Sequence, residues 1–124
     1  MAYNDGYKGH KDSIKAWVIF EMDVTTIKGS YNVSSITDAA TGNCQVNYAT
    51  ALASANYACF ADGSPKSGST INYSHGASPG SASYGNFYRE NANGTAHDTS
   101  GDVHFLAIGT VSYTHLTLPT IYSV

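Results

Sequence analysis

Charge is scarce in this 124-residue chain: Asp, Glu, Lys and Arg make up 12% of it, and the net charge at neutral pH is -3. The six basic residues are scattered at Lys8, Lys11, Lys15, Lys28, Lys66 and Arg89. No basic stripe tracks a phosphate backbone, which excludes a nucleic-acid partner. Long apolar runs are also missing. No segment approaches the length of a membrane span, and the opening MAYNDGYKGHKDSIK lacks the apolar centre of a signal peptide, so the chain reads as soluble. Cysteine occurs twice, at Cys44 and Cys59, in neither a zinc nor a redox spacing. The two are read as small buried residues in strands ahead of a disulfide.

The residue patterns that carry chemistry are thin as well. The five histidines, His10, His75, His97, His104 and His115, form no HxH or HExxH pair, so neither a metal nor a cofactor is expected. No G-x-S-x-G elbow marks a nucleophilic serine. The carboxylates Glu21, Asp23, Asp38, Asp62, Glu90, Asp98 and Asp102 would make a hydrolytic pair only if folding brought two together. His97 with Asp98, and Asp102 with His104, read as parts of a solvated loop in preference to a catalytic dyad. The chain is therefore read as non-enzymatic. Heptads are absent, and the one stretch of helical character, Ala49 to Ala55, is too short to stand alone.

What the chain does have is β-sheet patterning. Val33 to Thr37 and Asn43 to Tyr48 are rich in Val, Ile, Thr and Tyr, and Cys44, Val46 and Tyr48 recur at the two-residue period of one sheet face. Asp38 to Gly42 is expected to join them as a hairpin turn, with Asn56 to Phe60 as a third strand. Ala16, Val18 and Phe20 alternate with Trp17, Ile19 and Glu21, giving a first strand with two apolar faces, central or at an interface, and Trp17 as a candidate core anchor. Thr70 to Tyr73 and Phe87 to Arg89 are further strands, whereas the Gly and Pro clusters at Ser64 to Gly68 and Gly76 to Gly80 read as turns. In the closing strand, Val103, Phe105 and Ala107 face one way and His104, Leu106 and Ile108 the other. The length fits one domain. The fold class expected is all-β, an antiparallel β-sandwich. The apolar alternation at Trp17, Ile19, Leu106 and Ile108 further suggests a sheet face covered by oligomerisation.

For ligand contact the candidates are Tyr73, His75, Tyr84, Tyr88 and Arg89, which lie in or beside Gly- and Ser-rich segments. Aromatic rings stack on the apolar faces of sugars, while polar tips bond their hydroxyls.

Five segments carry a resemblance to a family: Lys15 to Phe20 (KAWVIF), Ser30 to Asp38 (SYNVSSITD), Asn43 to Leu52 (NCQVNYATAL), Ser54 to Tyr57 (SANY) and Val103 to Gly109 (VHFLAIG). Together they resemble a repeat-like domain of bacteriophage tail and tail-fibre structural proteins, frequent in metagenomic sequences. That family opens on KAWVNF, continues through SYNVSSITD and ANY, and closes on V-x-V-A-x-x-G, from which Phe105 and Leu106 depart. The resemblance implies a virion structural protein of the tail, made in the host cytoplasm, whose partners are further copies of itself in a homotrimer, other tail proteins and a host-surface polysaccharide for host attachment. A stand-alone carbohydrate-binding module is the alternative, and a glycan-cleaving tail enzyme a more distant one. The closing LAIG also resembles the end of H-type lectin domains, trimeric β-sandwiches that bind sugars.

The end of the chain has a different resemblance. Val111 to Thr120, VSYTHLTLPT, is similar to the translation of a transposase adapter used in sequencing libraries. The expected organisation is thus a lead-in over 1–14, the sandwich over 15–109 and a non-native tail over 110–124, and removal of Val111 to Val124 should leave stability unchanged.

Overall fold

The computed structural model describes residues 13–22, 25–64, 73–91, 94–96 and 101–109. Within these residues eight strands follow one another: β1 (Ser13–Glu21), β2 (Thr26–Tyr31), β3 (Val33–Ala40), β4 (Asn43–Tyr48), β5 (Ala58–Gly63), β6 (Tyr73–Pro79), β7 (Tyr84–Asn91) and β8 (Asp102–Gly109). They form two four-stranded sheets, ordered β2-β1-β8-β5 and β3-β4-β7-β6, with every pairing antiparallel. The sheets pack face to face as a β-sandwich, the expected class.

Alternation decides what lies between them. From the first sheet come Ala16, Val18 and Phe20 of β1 and Val103, Phe105 and Ala107 of β8; from the second come Cys44, Val46 and Tyr48 of β4 and Phe87 of β7. Met22, Leu52 and Tyr57 close the ends from the connections. Phe20 and Phe87 meet edge to face across the sandwich, with centroids 6.1 Å apart. Gly85 sits beneath Phe105, and a Cβ there would run into that ring and lie 2.7 Å from the Tyr48 hydroxyl.

The chain passes from the first sheet to the second through one residue. Asn32, between β2 and β3, adopts a φ of 55°, in the left-handed region that asparagine tolerates better than most side chains. Its Nδ2 donates to the carbonyls of Lys15 and Thr50, each at 3.0 Å, and its Oδ1 accepts from the Thr50 amide at 2.7 Å. Its own carbonyl accepts from Ala49. One side chain thus ties β1, the β2–β3 corner and the segment after β4.

Tyr57, in the connection from β4 to β5, does similar work at the other end. Its hydroxyl accepts from Tyr48 at 2.9 Å and lies within bonding distance of the carbonyls of Ser81, in the β6–β7 turn, and Tyr84, which opens β7. Burial, with the bond to Tyr57, holds the Tyr48 phenol well above its ordinary value, so it remains a protonated donor.

Several expectations need correction. Trp17 is not a core anchor: Ala16 and Val18 take the inward positions on either side of it, so strand parity turns it outward. The run Asn56 to Phe60 becomes strand only from Ala58 and continues to Gly63. The β3–β4 turn is shorter than Asp38 to Gly42, because β3 runs to Ala40 and only Thr41 and Gly42 lie between the strands. Gly76 to Pro79 belong to β6 rather than to a turn. As an edge strand β6 pairs only with β7, which tolerates small residues and a terminal proline. Ala49 to Ala55, read as too short for a helix of its own, indeed forms none. The turn at 65–68, the strand start at 70–72, the pair at 97–98 and the tail at 110–124 lie outside the described residues.

Candidate functional site

The outward sides of the two sheets differ in chemistry, and each follows from its register. Across the first sheet, Tyr31, Trp17, Leu106 and Phe60 stand opposite one another in one row, and Gly29, Ile19, His104 and Asp62 in the next. Four of the five exposed large hydrophobic residues among the described residues lie here: Ile14 (50%), Trp17 (37%), Tyr31 (55%) and Phe60 (60%). Trp17 and Phe60 flank an open groove of about 360 Å³, also lined by Ile19, Leu106, His104 and Asp62. The indole lies over Gly29, where a Cβ would make ordinary contact with the ring at 3.4 Å.

At the end of this face the outward residues are charged. Glu21 pairs with Asp102, and Lys28 reaches both, at 2.6 Å from Asp102 and 3.9 Å from Glu21. The hydrogen bond to Asp102 raises the Lys28 pKa. Asp102 is therefore engaged by Lys28, while His104 stands one row further along with Asp62, so the pair noticed in sequence is divided between two surroundings. Asp62 is the one carboxylate lining the groove. Among the described residues, no group of three or more His, Cys, Asp and Glu could hold a metal ion.

The second sheet presents a polar outer face. Asn43, Gln45 and Asn47 of β4 stand opposite Tyr88, Asn86 and Tyr84 of β7 respectively, and β6 continues two of these rows with Gly76 and Ser78. Asn47 Nδ2 lies 3.0 Å from Ser35 Oγ and 2.8 Å from Thr37 Oγ1. Tyr88 is 39% exposed, with its hydroxyl 3.4 Å from that of Ser78.

The five residues singled out for ligand contact are divided by parity. Tyr84 and Tyr88 point outward on β7, and Tyr73 begins β6 opposite Asn91, its side chain outside the described set. His75 and Arg89 pair with each other and point inward, toward the edge where β5 and β6 approach. Arg89 is wholly buried, its guanidinium 5.9 Å from the centre of the Phe87 ring. Its Nε donates to His75 Nε2 at 3.1 Å, and His75 stacks on Phe87. An Nε2 that accepts leaves the proton on Nδ1, which faces Asp62 Oδ1 at 3.4 Å. Burial and then the Arg89 charge lower the His75 pKa, and Asp62 opposes them.

Asn43, Gln45, Asn47 and Asn86 were not expected at a site. For the three on β4 the signal was the alternation that buried Cys44, Val46 and Tyr48, since it turns the intervening residues outward. No disulfide joins Cys44, which is buried, to Cys59, which is half-buried with its thiol pKa raised by burial. Neither a family model, nor a curated protein, nor a solved structure matches this chain.

Proposed function

We propose that the domain is a non-enzymatic structural module of a bacteriophage tail fibre, which assembles with copies of itself as a trimer through the outer face of the first sheet. The observation that carries this reading is the row Tyr31–Trp17–Leu106–Phe60, aromatic and aliphatic side chains set in register on an open sheet face. A patch of this kind, with the ion cluster of Lys28, Glu21 and Asp102 at its margin, has the apolar centre and polar rim of a protein interface. The KAWVIF and SYNVSSITD segments supply the tail-fibre part of the reading by resemblance. In that setting the protein is made in the host cytoplasm and acts in the virion, beside other tail proteins.

Molar mass in solution tests it. Light scattering on the full chain should give three times the 13.1 kDa of one copy. Phe60→Asp or Trp17→Lys should return the monomer with its thermal midpoint kept, because both side chains are on the surface. A monomeric wild-type chain at high concentration would overturn the proposal.

A further inference from the structure

The polar outer face of the second sheet has no part in that assembly, and its chemistry is specific enough to read. We propose that it binds a neutral oligosaccharide, laid along β7 over Tyr84, Asn86 and Tyr88 and flanked by the amides of Asn43, Gln45 and Asn47. The inference deepens the reading of the domain as a non-catalytic tail module by naming a ligand class and a site.

Three observations support it. The first is spacing. Tyr84 and Tyr88 are four residues apart on one strand, about 13 Å at the rise of a β-strand, with Asn86 between them on the same face. Two rings that far apart exceed the width of one pyranose, so the site suits a chain of sugars rather than a single one.

The second is preorganisation. The Tyr84 ring fills the space that Gly80 leaves by lacking a Cβ, and Asn86 Nδ2 lies at the same place, 3.0 Å from where that Cβ would be. Across from Tyr88, a Cβ at Gly76 would meet nothing within 4 Å, which leaves the flank of the exposed ring open. Asn47 is oriented by Ser35 and Thr37. Amides both donate and accept, which matches sugar hydroxyls, with the buried Asn43 Oδ1 the exception, and the rings offer stacking surface.

The third is charge. The cations among the described residues are Lys15, Lys28 and Arg89. Lys15 and Arg89 are buried, and Lys28 is on the first sheet. Among the described residues the polar face therefore presents no cation to a uronic or sialic acid, and Glu90 follows Tyr88 at its margin, outward in the row of Ser74. Glu90 repels an anionic glycan laid along this face and leaves a neutral one unaffected.

The test is a nuclear magnetic resonance titration of the ¹⁵N-labelled full chain with maltohexaose, cellohexaose, mannohexaose and hexagalacturonic acid. At least one neutral hexasaccharide should shift the β4 and β7 amides together with the side-chain amides of Asn43, Gln45, Asn47 and Asn86. Tyr88→Ala should weaken that binding about tenfold, Tyr88→Phe should largely retain it, and Trp17→Lys should leave it unchanged. No shift with any neutral sugar, stronger binding of the acidic one, or shifts confined to the Trp17–Phe60 groove would each overturn the proposal. Light scattering on the same samples reads the trimer separately, so failure of assembly and failure of sugar binding are distinguishable.

Discussion

Two residues carry more of this fold than their size suggests. Asn32 combines a left-handed backbone with three side-chain hydrogen bonds. Asn32→Ala should cost about 2–3 kcal/mol in urea denaturation, from strain at a positive φ and from the lost bonds. Asn32→Gly separates the two causes: it relieves the backbone but not the bonds, so its loss should be smaller. At Gly85 the constraint is space rather than torsion. Gly85→Ala presses on Phe105 and the Tyr48 hydroxyl, and the expected loss is about 1–3 kcal/mol, visible as a lower thermal midpoint. Neither position stood out in the sequence. An asparagine in SYNVSS and a glycine beside a tyrosine look like ordinary loop residues until a corner and a facing ring are known.

At the scale of the element, the strands that were legible are those whose alternation is strong. β4 was bounded correctly because Cys44, Val46 and Tyr48 are all large or apolar enough to mark one face. β8 likewise divided into Val103, Phe105 and Ala107 inside and His104, Leu106 and Ile108 outside. β6 was hidden because its composition is that of a turn; its pairing comes from β7, a tertiary cause that composition does not record. The same limit divided the ligand candidates, since parity on β7 separates Tyr88 from Arg89 while composition groups them. The edge where β5 and β6 meet should also respond to pH. His75 has a lowered pKa in the folded protein, so an unfolded chain binds its proton first. Stability from this group is therefore complete above about 6.5 and declines as pH falls through that value toward the folded one. The urea midpoint should be lower at pH 5 than at pH 7.5, and His75→Gln should flatten that difference. An unchanged slope in the variant would assign the acid sensitivity elsewhere.

For the molecule as a whole, the separation of two outer faces by one core means that assembly and ligand contact can be altered one at a time, which is how the Trp17 and Tyr88 substitutions are used above. The topology has a different result, concerning when the structure can exist at all. β8 lies between β1 and β5, so its residues, 102–109, supply the middle of a sheet whose other three strands are in place by residue 63. During synthesis the first sheet therefore waits with a gap, exposing one open edge on β1 and another on β5, until β8 leaves the ribosome. Folding should thus wait for β8 rather than proceed strand by strand. A chain stopped before Asp102 is expected to remain open to protease and prone to aggregate, whereas one that includes Gly109 should become resistant; pulse proteolysis on arrested chains would time the change.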